Sequence, residues 1–293
     1  MVAKKIPKYI NPLISFLHFA VRNLPTKKAS ALMAFVLTKG SNIFVKSHNM
    51  RTNIRYIFPN MEETKVEEIA QQMLANFGRH IAEIAHISDF RYDQKGARID
   101  TVTANGLAFD GKGPAIYVGA HVGSWELSAL IFDKQKQPVT VIYTENKSPI
   151  IENLLQKYRN QTGAKYVEKQ KALKPCFKAL DRGESVALLV DQRVRTGIDV
   201  EFLGHNATFT RLPARLAINY DCPIIPFEVI RVEPGHLRVS FQAPIMPLGR
   251  KGKKVEFELT QKLATAVEQA ITRNIEMWFC SKLRWKGVDR KKS

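Results

Sequence analysis

The fold is decided by residues 115–127, which read AIYVGAHVGSWEL. An apolar, β-branched run ends at a short segment with two glycines, and a helical pattern begins near Trp125. In open α/β sheets, ligands bind at the carboxyl ends of the strands, so His121 occupies a position where chemistry is expected. Gly119 and Gly123 remove side chains on both sides of it, which allows a tight turn and a close approach by a substrate.

The alternation of strand and helix patterns continues along the chain. Apolar spacing predicts a long one-faced helix from Thr64 to about Ile87. Short β-branched runs predict strands at Ile99–Val102, Ala115–Gly119, Val139–Tyr143, Val186–Val190, Val200–Phe202, Ile224–Ile230 and Leu237–Phe241. Further helices are predicted at Trp125–Phe132, Pro149–Thr162, Ala172–Asp181, Pro213–Tyr220 and Val255–Trp278. This pattern predicts an α/β domain whose mixed, largely parallel central sheet is flanked by helices.

Positive charge is concentrated at the two ends of the chain. The net charge is +18; residues 1–60 carry ten Lys and Arg and no acid, and the residues from Ser281 onward add a surplus of five positive charges. The central body is therefore nearly neutral. We expect residues 1–60 to be a basic, amphipathic, helical, membrane-associating segment and residues 61–293 to be the α/β domain.

The apolar stripes of the N-terminal segment lie between its basic residues, at 13–21, 31–37 and 43–45. None reaches the ~18 apolar residues that a spanning helix needs. Such stripes favour helices that lie in a bilayer interface, where each basic residue contributes about 1 kcal/mol near an anionic surface. The alternative is that these helices pack on the domain and their lysines are solvated. Nucleic acid is not an expected partner, because no nucleic-acid motif accompanies the charge.

His121 and Glu126 are candidates for a general base and the carboxylate that orients it. Their spacing of five allows contact if His121 lies on the turn and Glu126 in the first helical turn, folding back. A carboxylate on one imidazole nitrogen fixes the tautomer and supports the charge that develops when the other nitrogen takes a proton. No G-x-S-x-G motif surrounds Ser124, so such a base would activate a hydroxyl of a substrate. The alternative is a structural histidine at a strand end.

No metal site and no cofactor are expected. The HExxH motif is absent, and Cys176, Cys222 and Cys280 lie far apart without a CxxC pair. The lack of a disulfide framework favours a reducing compartment.

Two further polar segments lie where a cleft is expected. Asp191 and Gln192 follow a predicted strand and should border the same cleft as His121. Asp191 would either hold Arg193 or the catalytic loop, or cap a turn.

Thr210 and Arg211 precede a predicted helix and suggest a phosphate site, although helix capping explains Thr210 nearly as well. Arg284 and Trp285 suggest an anchor at a membrane interface.

The run His121-Val122-Gly123-Ser124-Trp125-Glu126 resembles the H-x4-[DE] motif of the lysophospholipid acyltransferase superfamily. Its Trp-Glu ending is similar to the bacterial lipid A branch, the late acyltransferases of lauroyl and myristoyl type. The resemblance runs in order over roughly residues 60–287, through Asp191-Gln192-Arg193, Val200-Glu201-Phe202-Leu203-Gly204, Thr208-Phe209-Thr210-Arg211-Leu212-Pro213-Ala214, Cys222-Pro223-Ile224-Ile225-Pro226 and Arg284-Trp285-Lys286.

This resemblance implies transfer of a fatty acyl chain from acyl carrier protein to a hydroxyl of a phosphorylated lipid A precursor, in lipopolysaccharide biosynthesis. It also implies a peripheral or monotopic position on the cytoplasmic face of the inner membrane. His121 would be the base and Glu126 its orienting acid, while Arg159 would stabilise the thioester oxyanion or bind a lipid phosphate. Substrate contacts are expected from Gly123, Ser124, Trp125, Asp191, Gln192, Arg193, Thr210 and Arg211.

Two other functions remain open at this point. One is an acyltransferase for a glycerophospholipid or another lyso-lipid, which the pair Trp125-Glu126 disfavours because Asp is the commoner acid there. The other is a basic membrane- or nucleic-acid-binding protein without activity, which the near-neutral body disfavours. The residues do not indicate the acyl chain length, the acylated position, or whether coenzyme A could replace acyl carrier protein.

Overall fold

The computed structural model describes residues 11–40, 47–90, 99–103, 113–134 and 138–288. Within these ranges the strands are β1 (Ile99–Thr103), β2 (Ile116–Gly119), β3 (Val139–Tyr143), β4 (Lys165–Glu168), β5 (Ser185–Leu189), β6 (Ile198–Phe202), β7 (His205–Phe209), β8 (Ile224–Glu233) and β9 (His236–Phe241).

The α-helices of the same ranges are α1 (Asn11–Asn23), α2 (Thr26–Lys39), α3 (Ser47–Ile57), α4 (Glu63–Ala85), α5 (Ala129–Lys134), α6 (Pro149–Arg159), α7 (Leu173–Asp181), α8 (Leu212–Tyr220) and α9 (Lys253–Arg273). Short 3-10 turns occur at Ile87–Asp89, Trp125–Ser128, Lys169–Lys171 and Ile275–Met277.

A central sheet of seven described strands runs in the order β1-β9-β8-β2-β5-β3-β4. From β8 to β4 all neighbouring strands are parallel. β9 pairs antiparallel with β8, and β1 pairs parallel with β9. This mixed, largely parallel sheet with flanking helices confirms the predicted fold class.

Side chains of β2 alternate between two apolar layers, one on each face of the sheet. Ile116 and Val118 join a cluster with α7, α8 and α9, whereas Tyr117 joins a cluster with α1, α2 and α5. Each fully buried large apolar side chain contributes about 1.5–3 kcal/mol. The long helix α4 contributes to both clusters, so it connects the two layers.

The N-terminal helix α2 packs closely on α4. A β-carbon at Gly78 would overlap the backbone of Met33, so glycine is required for this approach of the two helices. The predicted apolar stripe at 43–45 lies outside the described residues. Among the helices that the structure describes, none combines the length and apolar character needed to cross a bilayer.

The structure differs from several of the predicted elements. The strand predicted at Val200–Phe202 belongs to β6, which forms a separate antiparallel hairpin with β7. β4 and β7 were not predicted, because both are short and mix polar with apolar residues. The helix predicted at Trp125–Phe132 begins as a 3-10 turn, and the last helix ends at Arg273 rather than at Trp278.

Candidate active site

His121 lies in the loop that follows β2, as the sequence predicts. Its carbonyl oxygen accepts a hydrogen bond from the N–H of Phe279 at 2.7 Å, and the N–H of Gly123 donates to Met277 at 3.1 Å. The loop is therefore held by the segment that follows α9. This bonding fixes the backbone on both sides of the imidazole.

Gly123 allows this loop to pass close to β8. Its φ is +61°, and a β-carbon there would overlap the carbonyl oxygen of Val229. The same oxygen accepts a hydrogen bond from the N–H of Ser124 at 2.9 Å. Both the positive φ and the close approach require glycine.

The imidazole of His121 pairs with Asp191. Nδ1 lies 2.7 Å from Oδ1 of Asp191, and the same oxygen accepts the backbone N–H of His121 at 3.1 Å. The other oxygen, Oδ2, accepts the indole N–H of Trp278 at 2.9 Å. The two residues meet because β2 and β5 are parallel neighbours, with Gly119 opposite Leu189, so both chains leave the sheet at the same edge.

Asp191 is buried, whereas the His121 side chain is 20% exposed. Burial by itself would raise the pKa of Asp191, but the interaction with His121 and the hydrogen bonds from His121 and Trp278 hold it below its ordinary value. An ionised carboxylate can only accept hydrogen bonds, so Nδ1 of His121 carries the proton. Nε2 of the neutral ring is then free to accept one.

Gln192 contacts that second nitrogen. Its amide Nε2 lies 3.1 Å from Nε2 of His121, and its Oε1 accepts a hydrogen bond from Nζ of Lys282 at 2.8 Å. Because Lys282 can only donate, it turns the amide oxygen toward itself and the amide N–H group toward His121. The structure thus brings His121, Asp191 and Gln192 together, with Lys282 as a member that the sequence did not indicate.

Glu126 does not orient His121 in this structure. Its oxygens accept two hydrogen bonds from Arg159, Nη2 to Oε1 at 2.7 Å and Nε to Oε2 at 3.1 Å. Among the described residues no hydrogen bond joins Glu126 to His121. The expected contact fails because Glu126 stands in a 3-10 turn, which directs its side chain toward α6.

Arg159 is likewise engaged rather than open to a substrate. Its side chain is only 6% exposed, and its guanidinium lies 4.4 Å above the ring centroid of Tyr143. Burial alone would lower the pKa of Arg159, but the hydrogen bonds and charge of Glu126 raise it overall. The bidentate pair uses Nε and Nη2, so the predicted role in binding an oxyanion or a phosphate would fall to Nη1, which is buried and has no hydrogen-bond partner among the described residues.

Ser124 directly precedes the 3-10 turn at Trp125–Ser128, but its side chain does not cap that turn. Its hydroxyl donates instead to Glu83 on α4, whose side chain is fully buried. Glu83 also accepts from Nη2 of Arg231 at 2.7 Å, and Nη1 of Arg231 donates to Asn76 at 2.9 Å. This buried network connects α4, β8 and the loop of His121, and it was not predicted from the sequence.

Trp125 lies beside the imidazole. Its ring centroid is 5.2 Å from that of His121, 3.8 Å from His80 and 5.9 Å from Phe279. Burial lowers the pKa of His80 well below its ordinary value, so this second histidine is neutral. The aromatic layer forms an apolar wall on one side of His121.

Thr210 and Arg211 have partners away from His121. The hydroxyl of Thr210 accepts the N–H of Leu212 at 3.4 Å, while Arg211 donates to Gly197 at 3.3 Å. This contact of Thr210 is a local turn bond two residues along the chain, and no described side chain caps the start of α8, so the capping alternative for Thr210 is wrong.

Arg193 lines the same cleft as Asp191 and Gln192. Arg284 and Trp285 are 1% and 2% exposed, so the expectation that they anchor the protein at a membrane surface is wrong.

In the described part of the chain, no group of three or more His, Cys, Asp or Glu side chains is arranged to hold a metal ion.

Comparison with known proteins gives the family. Residues 3–287 match the model of the bacterial lipid A biosynthesis acyltransferases. A lipid A biosynthesis acyltransferase of Haemophilus influenzae is 23% identical over 280 residues, which cover 93% of this chain and 84% of the relative. A phosphatidylinositol mannoside acyltransferase of Mycolicibacterium smegmatis is 20% identical over 184 residues, covering 60% of each. The chain is therefore an acyltransferase and belongs to the bacterial lipid A biosynthesis acyltransferase family.

Proposed function

We propose that the protein transfers a fatty acyl chain from a thioester of acyl carrier protein to a hydroxyl of a phosphorylated lipid A precursor. The observation that carries the proposal is the His121–Asp191 pair, which stands beside a cleft at the carboxyl edge of the sheet. The family match supports the acyl chemistry, and the name of the Haemophilus influenzae relative supports the lipid A acceptor.

In the proposed reaction, His121 acts as general base. The acceptor hydroxyl displaces the Gln192 amide from Nε2 of His121, loses its proton to that nitrogen and attacks the carbonyl carbon of the thioester. Asp191 stabilises the resulting imidazolium through Nδ1. The tetrahedral intermediate then collapses, the C–S bond breaks, and His121 returns the proton to the departing thiolate. No covalent enzyme intermediate is needed, so binding and orientation supply much of the rate.

Glu126 and Arg159 are proposed as positioning residues. Their bidentate pair joins the turn after the His121 loop to the end of α6. A guanidinium and a carboxylate in this geometry resist rotation, so the pair would hold Trp125 against the imidazole. Glu126 would then act on His121 only indirectly.

We further propose that residues 1–60 bind the cytoplasmic face of the inner membrane without crossing it. Support comes from large apolar side chains that point to solvent on two N-terminal helices: Phe16 and Phe19 on α1 are 66% exposed, and Phe35 on α2 is 62% exposed. The ten basic residues and the absence of acid in this segment suit an anionic lipid surface.

A second acceptor class has its own support. The Mycolicibacterium smegmatis relative is named for a phosphatidylinositol mannoside, so a lyso-lipid or another phosphorylated glycolipid is the alternative acceptor.

Mass spectrometry of reaction products tests the proposed function. The purified full chain is incubated with C12, C14 or C16 acyl thioesters of acyl carrier protein or coenzyme A, and with a hydroxyacylated, phosphorylated lipid A precursor or a lyso-glycerophospholipid. We expect one added acyl chain, bound as an ester to a hydroxyacyl chain of the lipid A precursor, with acyl carrier protein as the better donor. Acylation of the lyso-lipid alone, or of neither acceptor, would overturn the proposal.

A further inference from the structure

A cationic cleft opens beside the catalytic pair. It is lined by Asp191 and Gln192, which both contact His121, and by the basic residues Arg193, Lys282 and Arg284. Its enclosed space is small, and the rest is open to solvent. In the acyl-transfer step described above, Lys282 orients only the Gln192 amide, and Arg193 and Arg284 take no part.

Arg284 is buried in this cleft without a salt bridge to any described carboxylate. Its side chain is 1% exposed, Nη2 donates to the carbonyl of Thr208 at 3.2 Å, and Nε and Nη1 have no acceptor among the described residues. The guanidinium lies over the rings of Phe202 and Phe209, at 5.1 and 4.7 Å from their centroids. Burial, with the charge of Arg193, lowers the pKa of Arg284 to about 10 against the opposing charge of Asp191.

The one carboxylate that lines the cleft is already occupied. Both oxygens of Asp191 accept hydrogen bonds, from His121 and from Trp278. Lys282 donates to an uncharged amide at 2.8 Å, and Arg193 donates to the carbonyl of Trp285 at 3.4 Å. Within the described ranges none of the three cations forms a salt bridge, so the cleft has an excess of positive charge and spare N–H donors. A buried charge that lacks a partner is costly, so an incoming anion would be favoured.

We propose that this cleft binds a phosphate group carried by one of the two substrates of acyl transfer. The identity of those substrates rests on the proposed function. A guanidinium presents a planar set of N–H donors that matches a phosphate, and an ammonium adds a second charge-assisted bond. Phosphates occur both on a lipid A precursor and in the pantetheine arm of acyl carrier protein. Either would be held close to Nε2 of His121, so the cleft would align a substrate with the base.

Binding of inorganic phosphate tests the site without acyl transfer. Calorimetry on the full chain, at an ionic strength matched with chloride, compares the unmodified protein with Lys282→Met and Arg284→Met. Lys286→Met is the matched control, because Lys286 is an exposed lysine nearby that does not line the cleft. We expect saturable binding by the unmodified protein and the control, and at least a tenfold loss of affinity in the other two variants. Absent binding, or binding that neither cleft substitution weakens, would overturn the proposal.

Two further measurements keep the test decisive. If melting by circular dichroism finds Arg284→Met unfolded, Arg193→Met and Lys282→Met replace it, since both side chains reach the surface and their loss leaves no cavity. His121→Ala should bind phosphate as tightly as the unmodified protein. If the protein binds phosphate and yet acylates no lipid, the proposed function fails while the anion site stands.

Kinetics identify the source of the phosphate. KM is compared for the acceptor with and without its phosphates, and for an acyl carrier protein thioester against an acyl pantetheine without phosphate. If the lipid supplies the phosphate, Lys282→Met should raise KM about tenfold for the phosphorylated acceptor and leave KM for the dephosphorylated one unchanged. If the acyl donor supplies the phosphate, Lys282→Met should raise KM about tenfold for the acyl carrier protein thioester and leave KM for the acyl pantetheine unchanged. If Lys282→Met changes the KM contrast neither between the two acceptors nor between the two donors, the proposal is contradicted.

Discussion

Replacing Asp191 with asparagine should lower the turnover number of acyl transfer on the order of 10³–10⁴-fold, the scale that loss of the correct histidine tautomer has in a serine protease. The carboxylate accepts Nδ1–H of His121 and leaves Nε2 without a proton. An amide can present its N–H group to Nδ1 instead, which would move the ring proton to Nε2. His121 could then no longer accept a proton from the acceptor hydroxyl.

The matched control is Asp199→Asn, because Asp199 is an exposed carboxylate on β6 whose described partner is Thr208. Steady-state kinetics with saturating substrates should find the control within twofold of the unmodified protein. Equal activities of the Asp191 and Asp199 variants would remove Asp191 from the mechanism.

The lowered pKa of Asp191 also determines how its contribution to the stability of the folded protein changes with pH. The stabilisation from its ionised form is present above its ordinary pKa of 3.8, and it is lost as the pH falls through the lower pKa of the folded protein. Asp191 therefore stays ionised across the neutral range. If activity falls on acidification while the pH is still above about 5, protonation of a group other than Asp191 would be the cause.

Replacing Arg231 with methionine should lower the free energy of unfolding by about 3–5 kcal/mol, because it leaves the buried Glu83 carboxylate without its partner. Arg231 is 5% exposed at its side chain and donates to both Glu83 and Asn76. Denaturation in urea, followed by circular dichroism, measures the change. The loop that carries His121 should also become more mobile, because Ser124 in that loop donates to the same Glu83 carboxylate.

A surface pair supplies the control for this prediction. Arg250 and Glu258 form an ion pair at 3.0 Å with the Arg250 side chain 49% exposed, and Arg250→Met should cost under ~1 kcal/mol. The double variant Glu83→Leu/Arg231→Met should lose less than Arg231→Met alone, because it removes both buried charges. Equal losses for Arg231→Met and Arg250→Met would contradict the buried-pair explanation.

Most strands and helices, though not β4 and β7, could be predicted in their order along the chain because they depend on local patterns. β2 and the glycines around His121 follow from 13 consecutive residues, 115–127, and α4 from apolar residues at helical spacing. The order of strands within the sheet could not be predicted in this way. It is that order which places β5 beside β2, and hence Asp191 rather than Glu126 against His121.

The site contacts that were not predicted from the sequence join distant parts of the chain. Trp278 contacts a carboxylate 87 positions away, and Arg231 pairs with a glutamate 148 positions away. One local signal was available for the second pair. Asn76, His80 and Glu83 continue the helical spacing of the apolar residues on α4. This spacing indicates that their polar side chains are buried, and buried polar side chains need hydrogen-bond partners.

The single-turnover rate of His121→Ala tests the central claim most directly. With both substrates saturating and the fold checked by thermal melting, the rate of ester formation should fall about 10³–10⁴-fold, since the acceptor hydroxyl loses the group that takes its proton. Binding of both substrates should stay within a factor of about three, because His121 contributes to the reaction and little to the affinity. A correctly folded His121→Ala protein that forms the ester within about tenfold of the unmodified rate would contradict the claim that this imidazole is the base.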